Sequence, residues 1–195
     1  MDQLADPKPG TLHHVQRDID RILIDRHRIA RRIKELGEEI RCDLDDLDDE
    51  GEIMLVPILT GSIIFLADLI RHLPHKIRIG VVTASAYPGA TTTSKGAQLA
   101  GALPADLEGK HVLIVDDILD SGNTIRLIRE EIAKRHPKSL RTCVLLRKTI
   151  PSALETPCEY IGFDIPDEFV VGCGLDYNNY YRNLPDICVL KKEAM

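Results

Sequence analysis

The chain has 195 residues, 44% of them hydrophobic and 29% charged, enough to bury a core without help from disulfides or a structural metal. Its 25 Lys and Arg stand against 31 Asp and Glu, a net charge of -6 and the wrong sign for a protein whose main partner is a nucleic-acid backbone. The five cysteines (Cys42, Cys143, Cys158, Cys173 and Cys188) are odd in number and at least 15 residues apart, which excludes a disulfide framework and a C-x-x-C zinc pattern and fits a reducing cytoplasm.

Residues 1–11 read as a flexible arm, because Pro7, Pro9 and Gly10 break regular structure and little apolar surface is present to order it. No signal peptide and no membrane span are expected, since the most apolar long stretch, Ile58 to Ile70, is broken by Thr60, Gly61, Ser62 and Asp68. From about Asp18 to Cys42 the recurrence of Ile22, Ile29, Ile33, Leu36 and Ile40 predicts one long amphipathic helix. Its Arg26, Arg28, Arg31, Arg32 and Lys34 offer a contact for RNA, against the plainer expectation of a solvated face paired with nearby acids. The acidic run Asp43 to Glu52 is expected to be a surface connector. A calcium loop there would need a bidentate Glu where Pro57 stands.

Beyond it the period changes to β/α alternation. Strands are predicted at Ile53 to Ile58, Ile77 to Ala84, His111 to Val115 and Arg141 to Leu146, and helices at Ser62 to His72 and Asn123 to Arg135. Runs such as Val112-Leu113-Ile114-Val115, apolar on both faces, suit the centre of a parallel sheet flanked by helices. Residues 85–104, rich in Ser, Thr, Gly and Ala and without a period, have the length and composition of an active-site lid. About residues 158–190 read as short strands, Tyr160 to Phe163, Phe169 to Val171 and Ile187 to Leu190, forming a small flap. A single α/β domain over 1–195 is expected.

The chemistry concentrates in Val112 to Thr124, VLIVDDILDSGNT: a buried strand, Asp116 and Asp117 at its C-terminal end, Asp120 three residues on, then Ser121, Gly122, Asn123 and Thr124 opening a helix. A helix start leaves backbone N–H groups without acceptors, and small and hydroxyl residues around it accommodate a phosphate monoester. Carboxylates outside the carboxyl end of a sheet strand can hold sugar hydroxyls or a hydrated Mg2+. A P-loop is excluded because no G-x-x-x-x-G-K-[ST] occurs, Gly109-Lys110 being followed by His111. The D-D-x-x-D of isoprenoid diphosphate synthases belongs on a helix, whereas this one straddles a strand and a turn.

This stretch resembles the 5-phosphoribosyl-1-pyrophosphate (PRPP) signature of the type I phosphoribosyltransferases. Four further segments agree in the family's order: Leu59-Thr60-Gly61-Ser62 with Phe65 to Leu69, the lid Tyr87, Lys148 before Pro151, and Phe169-Val170-Val171-Gly172 with Leu175-Asp176-Tyr177 and Tyr181 to Pro185. They span about residues 50–190, and the C-terminal segments are similar to the branch that acts on hypoxanthine and guanine. The resemblance implies the type I phosphoribosyltransferase fold, a central parallel twisted sheet flanked by helices with a C-terminal hood and a flexible lid loop. It also implies transfer of the phosphoribosyl group from PRPP to a 6-oxopurine, with Mg2+ as cofactor, and a homodimer or homotetramer; the net charge and the broken apolar stretch argue separately against nucleic-acid and membrane partners.

Carried over residue by residue, the resemblance assigns Asp116 and Asp117 to the ribose hydroxyls and Mg2+, and Asp120 to Thr124 to the 5'-phosphate. Asp120 is implied as the general base on the purine's imidazole edge. Lys148 is implied as donor to the 6-oxygen, Phe169 as a stacking partner, and Ile118 and the Val170 backbone as further purine contacts. Leu59, Thr60 and Gly61 form the implied pyrophosphate loop, with a cis Leu59-Thr60 peptide. Asp176 is implied for a second Mg2+, Arg182 for pyrophosphate, and Tyr87 as the lid's anchor. Thr60, Ala86 and Ser152 depart from residues common in relatives (a Lys, a Ser and an Arg respectively), all on the pyrophosphate side. Two alternatives share this fold: a PRPP-sensing regulator using the Arg-rich first helix, and the same reaction with a preference for xanthine.

Overall fold

The computed structural model describes residues 13–47, 51–85, 98–99 and 101–195. In chain order the elements are α1 (His13–Asp18), β1 (Ile19–Ile24), α2 (Arg26–Asp45), β2 (Ile53–Leu59), α3 (Ile63–Leu69), β3 (Ile77–Ile79), β4 (Val82–Ser85), β5 (Gln98–Leu99), β6 (His111–Leu119), α4 (Asn123–Ala133), β7 (Ser139–Lys148), α5 (Pro151–Leu154), β8 (Tyr160–Ile165), β9 (Val170–Val171) and β10 (Ile187–Leu190). The main sheet runs β5-β4-β2-β6-β7-β8 with β3 also on β2, and a small sheet runs β1-β10-β9. Every pairing in the main sheet is parallel except the antiparallel β4–β5 contact.

The doubly apolar runs do what their composition requires. Leu55, Leu113, Val115, Cys143 and Leu145 join one core layer with Ile29, Ile33, Leu36 and Ile40 of α2 and Phe65 and Leu69 of α3. The alternate residues Met54, Val56, Val112, Ile114 and Val144 form a second layer with Ile125, Ile128 and Ile132 of α4. Successive residues of a strand face opposite ways, so a strand between two helical layers must be apolar throughout. No helix among the described residues is long and apolar enough to cross a membrane.

Several boundaries differ from the sequence reading. The predicted helix from Asp18 to Cys42 is two elements: Ile19–Ile24 is a strand antiparallel to β10, and the helix starts afresh at Asp25, whose carboxylate accepts the His27 and Arg28 N–H groups at 2.9 and 3.1 Å. Ile22, counted in the helical stripe, is consequently 56% exposed. The predicted strand Ile77 to Ala84 is two short segments, both parallel to β2, interrupted around Gly80. Tyr160–Ile165 extends the main sheet beside β7 rather than joining the flap, which takes its third strand from β1 instead.

The arginines of α2 are largely engaged within the fold. Arg26 pairs with Asp186, Arg28 lies over the Phe163 ring, and Arg32 donates to the carbonyls of Ile161 and Gly162 on the sheet's edge. Arg32 also pairs with Glu35 and Glu39, and Lys34 with Glu38, so part of this charge is met by acids of the same helix. Asp43, in the acidic run, accepts from the Tyr160 hydroxyl at 2.6 Å and pairs with Arg141 at 3.0 Å. The proposed arm and most of the proposed lid, including Tyr87 and Ala86, lie outside the described residues. At the C-terminal end of the lid stretch Leu103 is buried in the second core layer, as is Leu107 just beyond it.

Candidate active site

Three neighbouring strands deliver the site from their carboxyl ends. β2 runs into Leu59-Thr60-Gly61, β6 into Asp116 to Asp120, and β7 ends on Lys148. The Leu59-Thr60 peptide is cis. A Cβ on Gly61 would collide with the Asp117 carboxylate, so this position favours hydrogen and the Leu59-Thr60-Gly61 loop lies directly on Asp117.

Asp116 is buried and Asp117 partly so, and each accepts the next backbone N–H, from Asp117 and Ile118 at 3.0 and 3.1 Å. Burial drives both carboxyl pKa values upward, most strongly at Asp116, where the Asp117 charge adds to it. Two crowded carboxylates of this kind gain from a cation placed between them and the solvent. Their hard oxygen donors fit Mg2+, and two carboxylates completed by substrate oxygens are the coordination that Mg2+ commonly takes. The described residues contain no cluster of three or more His, Cys, Asp or Glu arranged to hold a metal alone. Asp176 is bound to Arg182 at 2.8 Å and accepts the Asn179 N–H.

Two cavities flank Asp120. One, of about 190 Å³, is formed by Asp116, Ile118, Leu119 and the turn from Asp120 to Ile125. Gly122 there has φ +81° and immediately precedes α4, so the first N–H groups of an eleven-residue helix open onto a phosphate-sized space. The other, of about 170 Å³, is lined by Asp117, Ile118, Asp120, Lys148, Phe169, Val170, Leu175 and Asp176, with Glu168 at its edge. Ile118 and Asp120 belong to both.

The predicted strand Phe169 to Val171 is shorter by one residue. The strand starts at Val170, which is buried, while Phe169 is 44% exposed, lines the second cavity and meets Tyr177 edge-to-face at 5.6 Å. Lys148 extends into the same cavity and donates to Asp120 and Asp167, each at 2.9 Å. Burial works against its charge, but the bonds to Asp167 and Asp120 outweigh that and raise its pKa above the ordinary lysine value. It is a fixed cation and a donor only.

Arg182 borders neither cavity; it holds the Gly174 carbonyl at 2.7 Å and its charge reaches Asp117. Sequence reasoning gave no role to Asp167 or Glu168, although both directly precede Phe169. Asp167 holds Lys148, and Glu168 is bound by Arg21 of β1. Arg21 is 147 positions away from Glu168, and no local pattern announces such a pair. Cys173, just beyond β9, is buried and its thiol is pushed up to about 12 by that burial, which suits a packing residue.

A strand end bearing paired acids, a phosphate-sized turn at a helix start and an adjoining cavity with an exposed aromatic ring together suit a sugar-phosphate transferase. The phosphoribosyl transferase domain model matches residues 21–178, and the chain belongs to that family. Within it, the chain is 43% identical over 167 residues to the hypoxanthine phosphoribosyltransferase of Escherichia coli K12, covering 85% of this chain and 92% of that protein. It is 39% identical over 192 residues to the hypoxanthine-guanine phosphoribosyltransferase of Mycobacterium tuberculosis, covering 96% and 91%. The crystal structure of a Staphylococcus aureus hypoxanthine phosphoribosyltransferase superposes with a TM-score of 0.82 at 36% identity, over 92% of this chain and 95% of that one.

Proposed function

We propose that the protein transfers the phosphoribosyl group of PRPP to hypoxanthine or guanine, giving the nucleoside monophosphate and pyrophosphate. The observation that carries this reading is the junction of the two cavities at Ile118 and Asp120. A phosphate in one and a purine in the other leave the ribose between them, with its anomeric carbon facing Asp120.

The purine lies against the exposed Phe169 ring, between it and Ile118, with its edge on the Val170 backbone. Its 6-oxygen draws the Lys148 ammonium away from Asp120, while Asp167 keeps that ammonium in place. Asp120, so released, accepts the imidazole proton as the ring nitrogen attacks the anomeric carbon. Adenine presents an amino group there, from which an ammonium cannot accept, and is disfavoured. Asp116 and Asp117 hold the ribose hydroxyls, and the turn from Ser121 to Thr124 holds the 5'-phosphate. Mg2+, held by Asp116 and Asp117 and on the pyrophosphate side by Asp176, would neutralise charge on the departing pyrophosphate. Leu59 to Gly61 and Arg182 face that leaving group.

Tyr87 and the lid are assigned the exclusion of water from the ribosyl cation. The five free cysteines support a reducing, cytoplasmic setting. A homodimer or homotetramer is part of the same proposal, supported by Ile63 and Ile64 exposed on α3. The test is nucleotide formation from PRPP and Mg2+ with hypoxanthine, guanine, xanthine or adenine in turn. Turnover of the first two and not of adenine is expected. Turnover of adenine alone, or of none, contradicts the reading.

A further inference from the structure

We infer that Arg126 is a positioning residue for the 5'-phosphate cradle and the source of a cation behind it, an inference that rests on the phosphoribosyl reading above. Arg126 is the fourth residue of α4, and its guanidinium folds back on the start of its own helix. One nitrogen donates to the Ser121 carbonyl at 2.9 Å and to Asn123 Oδ1 at 3.0 Å. The other donates to the Ser152 carbonyl at 3.1 Å and to the Thr156 hydroxyl. One half of the fork therefore holds the cradle, and the other half ties it to Ser152 of α5 and to Thr156, two residues beyond that helix.

Three consequences follow from this geometry. In a trans peptide the C=O and N–H point in opposite directions, so binding the Ser121 carbonyl turns the Gly122 N–H away from Arg126, freeing it for an anion on the other side. The cradle is also backed by a rigid wall: Thr156 is 2% exposed, its hydroxyl donates to the Ser152 carbonyl at 2.8 Å, and a Cβ on Gly122 would strike it. Finally, all four acceptors of Arg126 are neutral, so its charge is not cancelled by them and adds to the helix start's attraction for a phosphate dianion. Lysine could supply the charge but not the planar fork that spans both elements.

The experiment compares the parent enzyme with Arg126→Gln and Arg126→Lys, measuring KM for PRPP and for hypoxanthine, the affinity for the nucleoside monophosphate product, and thermal stability. Arg126→Gln is expected to raise the PRPP KM and weaken product binding about tenfold each, with the hypoxanthine KM within about twofold of the parent's. Arg126→Lys is expected to raise the PRPP KM about threefold, because charge without the fork recovers part of the effect. A PRPP KM within about twofold of the parent's in Arg126→Gln, or equal rises in both KM values, overturns the inference. If Arg126→Gln does not fold, the same split is read on Arg126→Lys, and a parental PRPP KM there overturns it. A parent that turns over no base with PRPP removes the phosphoribosyl reading and this inference with it, whereas an active parent with indifferent variants removes the inference alone.

Discussion

The close approach of Gly61 to Asp117 makes a single added methyl group a sharp probe of the site. A Cβ at Gly61 would overlap the Asp117 carboxylate, with even its farther oxygen only 2.8 Å away, whereas ordinary contact begins near 3.4 Å. The nearer oxygen is closer still, so the carboxylate must move by more than about 1 Å, and a misplacement of about 1 Å already costs about 100-fold in rate. Asp117 cannot swing freely, because its carboxylate accepts the Ile118 N–H and sits against buried Asp116. Gly61→Ala is therefore expected to lower kcat/KM for PRPP about 100-fold, roughly 2.7 kcal/mol of transition-state stabilisation. Overpacking should cost about 1–3 kcal/mol of fold stability as well. The assay is nucleotide formation at varied PRPP, with a thermal melt alongside. In an Asp117→Ala background the methyl has room, so the same substitution should cost little further activity. Near-parental kcat/KM in the single variant, or full additivity in the double, would refute the reasoning.

Lys148→Gln removes the charged donor proposed for the 6-oxygen and should lower kcat/KM for hypoxanthine about 10- to 100-fold while narrowing the margin over adenine, which a glutamine carbonyl can accept from; competition between the two bases reads it directly. Asp186 anchors the small sheet to the start of α2, accepting the Arg26 N–H at 2.8 Å and its guanidinium at 2.9 Å. The Arg26 hydrogen bonds hold its carboxyl pKa below the usual range. A lowered folded pKa means that the contribution is present above the unfolded carboxylate pKa and is lost as pH falls through the folded one. With Arg26 more than half exposed, the worth of the pair is about 1 kcal/mol, so Asp186→Asn should melt about 3 °C lower at pH 7 and the gap should close towards pH 3. A gap that persists at pH 3 would show the loss to be packing, not charge.

Legibility in the sequence followed the range of the interactions. β2, β6, β7 and α4 were readable because their apolar periods record burial that each segment undergoes by itself. The strand Ile19–Ile24 was not, because its apolar residues continue the spacing of α2 and its partner β10 lies at the far end of the chain. The cap at Asp25 was the local signal that separates the two. Tyr160–Ile165 was grouped with the flap by proximity in sequence, although its continuous pairing with β7 places it in the main sheet. At the site, the residues on one turn, Asp116 to Thr124, stood out as a cluster. Arg126, Asp167 and Glu168 did not, because each is tied in part to a segment distant in sequence (Ser152 and Thr156, Lys148, and Arg21 respectively) and reads alone as an ordinary surface charge.

The central claim, that Asp120 draws the proton from the purine at the junction of two cavities, is tested most directly by comparing parent and Asp120→Asn in the transfer of the phosphoribosyl group from PRPP to hypoxanthine, at saturating PRPP. Asparagine keeps the shape and loses the basicity, so kcat is expected to fall about 10²- to 10⁴-fold while PRPP binding persists. An Asp120→Asn enzyme with parental kcat would contradict the account.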